Sequence, residues 1–271
     1  MFQNKETTPI SELGEFGLIN HLTQHIKTER KSTVTGVGDD ASVVQIGDEY
    51  CVQSSEIFAE NVDFDLTFHP LKHLGYKMVV ATISDVLAMN VIPSHLLVNI
   101  ALSSRFTLEA IEELYAGILI ACKEYNLDLV GGDTGSSQSG LVVSMTATGF
   151  TKNKESITYR GGAKSNDLLV STGDLGGAYM GLQILEREKK IFLEHKDMQP
   201  DLEKYDYIVG RQLRPLARLD VVQTLQDLNI IPTSMMDISD GVASEINHMG
   251  TAGKVGFNIY EQKLPIDPQT L

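Results

Sequence analysis

Residues 107–125 read Thr-Leu-Glu-Ala-Ile-Glu-Glu-Leu-Tyr-Ala-Gly-Ile-Leu-Ile-Ala-Cys-Lys-Glu-Tyr. They are followed by Asp128-Leu129-Val130-Gly131-Gly132-Asp133-Thr134 and then by Leu141-Val142-Val143-Ser144-Met145-Thr146-Ala147. The first run places Leu108, Ile111, Leu114, Tyr115, Ile118, Leu119 and Cys122 on one stripe, the pattern of an amphipathic helix, with Thr107 positioned to cap it. The last run alternates Leu141, Val143, Met145 and Ala147 with Val142, Ser144, Thr146 and Thr148, so a strand with one more polar face is expected. Asp128–Val130 reads as a strand between them. A helix and two strands in close succession indicate an α/β or α+β protein.

The same alternation of elements continues outward. Leu13, Leu18, Ile19, Leu22 and Ile26 lie at near-helical spacing within residues 11–26, interrupted by Gly14 and Gly17. Val43 to Ile46, a Gly47-Asp48 turn and Tyr50 to Gln53 form a hairpin pattern. Tyr76 to Met89 reads as a helix and His95 to Leu102 as a strand. Between Phe150 and Asp167 the chain turns polar and glycine-containing, which divides it into expected domains 1–150 and 151–271. Beyond the boundary the pattern predicts strands at Leu168–Ser171 and just before Asp237. It also predicts helices over Gly177–Glu188, over Ala217–Leu228 and from Val242.

The 271 residues are 42% apolar and 21% charged, ordinary values for a folded chain. Lys and Arg total 22 against 36 Asp and Glu, a net charge of −14. That balance repels nucleic-acid backbones and anionic lipid, so neither is an expected partner. A chain this acidic needs metal cations between its carboxylates and any phosphate it handles. Cys51 and Cys122 match no zinc or disulfide spacing, and Cys122 falls on the apolar helix stripe as a core thiol. The N-terminus has no signal-peptide stretch and no segment is long and apolar enough for a bilayer, so a cytoplasmic setting is expected.

The chemistry-bearing pattern is a set of acids among glycines and small hydroxyls: Gly38-Asp39-Asp40, Ser54-Ser55-Glu56, Ser84-Asp85, Gly131-Gly132-Asp133-Thr134 and Asp237-Ile238-Ser239-Asp240-Gly241. Small neighbours let an anionic ligand approach the backbone, and carboxylates with hydroxyls are the hard ligands Mg²⁺ prefers. Each piece also has a bland reading, as a turn, a strand end or, for Asp240, a helix cap. Asp85 is the sharpest case, since its helix is apolar nearly all round. A buried carboxylate there needs a metal, a cation or hydrogen-bond donors. Gly36-x-Gly38-x-x-Ala41 is a poor dinucleotide fingerprint because it precedes a hairpin. The P-loop, zinc-protease, nucleophile-elbow and protein-kinase motifs are absent.

Taken in order, these motifs resemble the thiamine-monophosphate kinases of the aminoimidazole-ribonucleotide-synthetase-like superfamily. The likeness adds Gly14-Glu15-Phe16-Gly17-Leu18-Ile19, Tyr159-Arg160-Gly161-Gly162-Ala163-Lys164 and Thr172-Gly173-Asp174-Leu175-Gly176, and so covers nearly the whole chain. It implies a two-domain fold and a homodimer whose N-terminal sheets pair across the interface. It also implies direct in-line transfer from ATP to thiamine monophosphate with several Mg²⁺. Carried over by position, the metal ligands would be Asp40, Ser54, Ser55, Glu56, Asp85, Asp133, Asp237 and Asp240. Gly132, Asp133, Arg160 and Ser239 would meet the nucleotide; Asp85, Asp133 and Arg160 would act in catalysis; and Asp63 would contact the substrate. The chain departs from the family pattern at Glu56, where Asp is usual, and at Asp63, where His is usual. It also ends at Leu271, before a Gly-Gly-Glu-Asp-Tyr-Glu segment of the family, so the C-terminal domain is expected to be incomplete. Mg·ATP binding with weak or absent turnover is the expectation for this form; the alternatives are a related ATP-dependent enzyme with a different acceptor and a non-catalytic Mg·ATP-binding dimer.

Overall fold

The computed structural model describes residues 8–196 and 202–271. Its six-stranded sheet is built from β1 (Thr33–Thr35), β2 (Ser42–Ile46), β3 (Glu49–Ala59), β4 (Pro93–Leu102), β5 (Asp128–Ser136) and β6 (Leu141–Thr151), in the order β1-β2-β3-β6-β4-β5. The β2–β3 hairpin turns at Gly47-Asp48, as its sequence signals, and β3 runs on to Ala59, past Ser54, Ser55 and Glu56. β6 lies antiparallel to both β3 and β4, while β4 and β5 are parallel.

The helices described are α1 (Gly14–Thr23), α2 (Leu71–Ala88), α3 (Leu108–Glu124), α4 (Gly177–Glu194), α5 (Asp206–Leu213), α6 (Leu219–Asp227) and α7 (Val242–Gly253). α2 and α3 connect strands as crossovers and cover one face of the sheet. The Thr107 hydroxyl caps α3 by accepting from the Ala110 amide at 3.3 Å. α2 and α3 approach closely at Gly117, where a Cβ would lie 1.8 Å from the Lys72 carbonyl oxygen. The apolar positions of α2, among them Leu74, Met78, Val79, Ile83 and Val86, join Leu114, Ile118, Val98, Val143 and Met145 in the main core. Burying such side chains contributes roughly 1.5–3 kcal/mol each. Cys51 and Cys122 are buried free thiols, and burial pushes the Cys122 thiol up to about 11.

β6 alternates buried Leu141, Val143, Met145 and Ala147 with half-buried Val142, Ser144, Thr146 and Thr148. The sheet face away from α2 and α3 carries the exposed side chains of Gln53, Ser55, Ile57 and Leu97.

The strands expected at Leu168–Ser171 and before Asp237 do not form; all strands of the described residues lie before residue 152. Leu168 and Val170 are exposed rather than paired: β-propensity alone gives no strand where no neighbour supplies a ladder. The polar turn after Phe150 therefore separates a sheet-containing part from a helical one. The two share a core, because Ile157, Ala217 and Val222 pack into the main cluster and the Tyr125 hydroxyl accepts from the Ala217 amide at 3.0 Å. A small second core joins Ile184 and Leu185 to Ile208 and Val209. No helix of the described residues is long and apolar enough to cross a membrane.

Candidate metal and phosphate site

Asp40, Asp85 and Asp237 come from a turn before β2, from α2 and from the segment before α7, and each offers a carboxylate oxygen within 4.8 Å of the others. Residues distant in sequence thus converge. The Asp40 side chain is fully buried, and burial pushes its carboxyl up to about 7, against the opposing pull of Arg160. Burial and then the charge of Asp237 raise Asp85 to about 8, opposed by the Ser54 hydroxyl, which donates to Asp85 Oδ2 at 2.6 Å. Asp237 is raised by burial, and the Ser84 hydroxyl partly offsets this. Burial likewise raises Glu56, while a hydrogen bond with Asp85 opposes it. Carboxyls held together out of water favour the proton unless a cation replaces it.

One cation is already supplied by the fold. Arg160 donates from Nε and Nη2 to Asp40 Oδ1 at 2.9 and 2.5 Å, while Asp39 accepts from the Arg160 amide at 3.2 Å. The Gly38-Asp39-Asp40 turn thereby clamps both backbone and guanidinium of a residue 120 positions away. Asp40 Oδ2 remains buried without a partner. An orphaned anionic oxygen beside two further carboxylates fits a hard divalent cation.

β3 sorts its site residues by the period of a strand. Ser54 and Glu56 face Asp85. Ser55 faces the opposite side, where its hydroxyl lies 3.2 Å from the Met145 carbonyl and 3.0 Å from the Thr146 hydroxyl. The structure therefore does not bring Ser55 to the cluster, because neighbouring strand residues point to opposite faces. Asp63 is exposed and accepts from the Ala59 amide at 2.7 Å, and its charge is felt by both Glu56 and Lys77.

Asp133 stands apart from the three acids, exposed on β5, where its carboxylate accepts from the Thr134 amide at 2.8 Å. Gly131-Gly132-Asp133-Thr134 lies within a strand rather than after one. Gly132 has φ +157°, and a Cβ there would meet the Val98 carbonyl oxygen at 1.7 Å, so strand packing alone requires this glycine. These residues border an open cleft of about 420 Å³, lined also by Val98, Tyr115, Leu129 and Val130. Tyr115 reads in sequence only as part of the α3 stripe, and its place on the cleft has no separate signal there.

Asp240 does not cap α7; Gly241 holds that position without a side chain to do so. Instead Glu245, in the first turn of α7 and only 3% exposed, accepts from the Ser239 and Asp240 amides at 3.1 and 2.8 Å. Ser239 and Asp240 are thereby exposed on a fixed backbone beside Asp237. Glu245 is not visible as a partner in sequence, since its six-residue separation from Ser239 is not that of a capping box.

Residues 38–151 match the family described as AIR synthase related protein, N-terminal domain. The chain is 34% identical over 259 residues to the thiamine-monophosphate kinase of Bacillus subtilis, covering 94% of this chain and 75% of that protein. It is 30% identical over 257 residues to the Aquifex aeolicus thiamine-monophosphate kinase, with coverages of 95% and 76%. A solved structure described as AaThiL complexed with AMPPCP and TMP superposes with a TM-score of 0.82 at 28% identity, covering 98% of this chain and 78% of that one. The convergent acids, the mixed fold and these likenesses agree: the chain belongs to the thiamine-monophosphate kinase family.

Proposed function

We propose that this chain transfers the terminal phosphoryl group of ATP to thiamine monophosphate, giving thiamine diphosphate and ADP. The observation that carries the reading is the convergence of Asp40, Asp85 and Asp237 beside Arg160 in a relative of thiamine-monophosphate kinases. AMPPCP, which occupies the related structure together with TMP, is an ATP analogue with a non-hydrolysable bridge.

The physical problem is to bring two polyanions together. Mg²⁺ held by Asp40, Asp85 and Asp237, with Glu56 and Ser54 beside them, would neutralise phosphate charge and align the two anions. Arg160 is fixed through Asp39 and Asp40, so its guanidinium enters the site with its geometry already set. Glu245 holds the Ser239 and Asp240 amides in place, so that Ser239 would meet the nucleotide and Asp240 would serve as a further ligand. Gly132 and Asp133 border the cleft on β5, which suits nucleotide contacts. An acceptor phosphate with a second pKa of ~6 is already mostly dianionic near neutrality. One of its oxygens attacks the γ-phosphorus as the bond to ADP breaks, with no general base and no phosphoenzyme.

The two-part division at about residue 150 is part of the same reading, with metal and nucleotide ligands drawn from both parts. A homodimer is supported by the open edge of β5 and by exposed Ile57, Leu97 and Val130 on the uncovered parts of the sheet. A single-turnover experiment with protein in excess over γ-labelled ATP tests the reaction and registers even slow chemistry. Label in thiamine diphosphate is expected. Label trapped on the protein after acid quench, or released only as inorganic phosphate, would refute direct transfer.

A further inference from the structure

Along α2 most side chains are buried, and after the first turn those left partly open are Lys77, Ala81, Ser84 and Asp85. Their spacing is that of a single helix face. This stripe begins at Lys77 and ends in the acid cluster, where Asp85 meets Ser54 and Ser84 meets Asp237. Ala81, between the two ends, leaves room above the helix. Lys77 and Asp85 are separated by about 12 Å along the axis. The Lys77 ammonium, on a flexible four-carbon stem, belongs to the same side of the helix as the cluster.

Among the described residues Lys77 forms no hydrogen bond or ion pair, although it is half-buried in a chain rich in acids. The nearest opposite charge it feels is Asp63, whose carboxylate is engaged by the Ala59 amide. The His69 ring also lies within reach of the Lys77 charge. His69 is 2% exposed with both ring nitrogens unpartnered, and burial drives it down to about 3, so it is neutral. Burial pushes Lys77 down to about 8. A cation desolvated to this degree and left without a partner is costly in the free protein, and the cost falls once an anion arrives.

We propose that Lys77 binds the phosphate of the acceptor, at the end of the α2 stripe away from the nucleotide, and so selects a phosphorylated acceptor over its alcohol. The inference rests on the thiamine-monophosphate reading above and adds a residue to it. The acceptor itself carries a cationic thiazolium and an anionic phosphate. Asp63 and Lys77 present the complementary signs in the same region. Lysine acts here as a point charge, for which arginine is a partial substitute.

The test is equilibrium binding by calorimetry in excess Mg²⁺ and AMPPCP, comparing thiamine monophosphate with thiamine for the wild type, Lys77→Met and Lys77→Arg. The wild type is expected to prefer the monophosphate. Lys77→Met is expected to weaken the monophosphate at least about tenfold, the scale of a charge-assisted hydrogen bond, and to leave thiamine and AMPPCP within about twofold. Lys77→Arg should recover part of the preference. Unchanged monophosphate affinity in Lys77→Met, or equal weakening of both ligands, overturns the role of Lys77. If the wild type binds AMPPCP but neither thiamine compound, the acceptor assignment itself fails and takes this inference with it.

Discussion

Replacing Asp85 with asparagine should change how the stability of the metal-free chain depends on pH. The substitution keeps the size of the side chain and an acceptor for the Ser54 hydroxyl while removing one charge from the cluster. In the fold the Asp85 carboxyl is raised from an ordinary 3.8 to about 8 by burial and by Asp237. Below the unfolded value both states carry the proton and Asp85 imposes no penalty. As pH rises from there, the unfolded chain ionises while the folded one retains its proton, so stability falls until pH passes the folded value. Each unit in that window is worth ~1.4 kcal/mol for a full proton. Between pH 5 and pH 7 a full proton would cost ~2.7 kcal/mol, and the wild type should lose about 2 kcal/mol relative to Asp85→Asn once solvent screening is allowed for. Taking the difference between the two proteins cancels the opposing contribution of His69, whose pKa is lowered. Urea unfolding in a chelator at the two pH values measures it. The chelated variant should be the more stable protein at pH 7 by more than at pH 5. Excess Mg²⁺ at about 100 times its wild-type Kd should add about 2.7 kcal/mol to the wild type and at most about 1.4 kcal/mol to the variant. A wild-type-minus-variant difference that does not move with pH would refute the buried-carboxyl reasoning.

Mg²⁺ binding near pH 6.5 should release protons from Asp40 and Asp85, because ligation requires the ionised forms. Calorimetry in buffers of different ionisation enthalpy measures the release, and none is expected from a site already ionised. Gly132→Ala should destabilise the chain by more than about 3 kcal/mol, since the added methyl meets the Val98 carbonyl and β5 must move; thermal unfolding checks this. Thr107→Ala should cost about 1 kcal/mol through the lost α3 cap, leaving Mg²⁺ affinity unchanged. Glu245→Ala should free the Ser239 and Asp240 amides and weaken AMPPCP binding, read by fluorescence or calorimetric titration, with the main core intact.

Much of the fold is visible in local periodicity. α3, the β2–β3 hairpin and the alternating faces of β6 follow from the spacing of Leu, Ile, Val and their polar neighbours, because each signal lies within one element. What the periods do not reveal is long-range. Leu168–Ser171 reads as a strand but has no neighbouring strand to pair with, and Arg160 meets Asp40 across 120 residues of chain. The acids are legible as a set because each sits among glycines and hydroxyls, whereas their sorting depends on details of geometry. β3 continues past Gln53, so Ser54 and Ser55 must face opposite ways. Asp133 is engaged with its own strand. Glu245 and Lys77 leave little trace, since one acts across a turn of irregular spacing and the other sits at the margin of a helix that is otherwise apolar.

The most direct measurement is a Mn²⁺ titration followed by electron paramagnetic resonance, with Mn²⁺ standing in for Mg²⁺, on the wild type, Asp85→Asn and Asp237→Asn in the presence of AMPPCP. Wild-type protein should bind the ion, and each substitution should weaken it at least about tenfold, because every one removes a carboxylate from the same small cluster. Equal Mn²⁺ affinity in all three proteins would contradict a cation held between Asp40, Asp85 and Asp237.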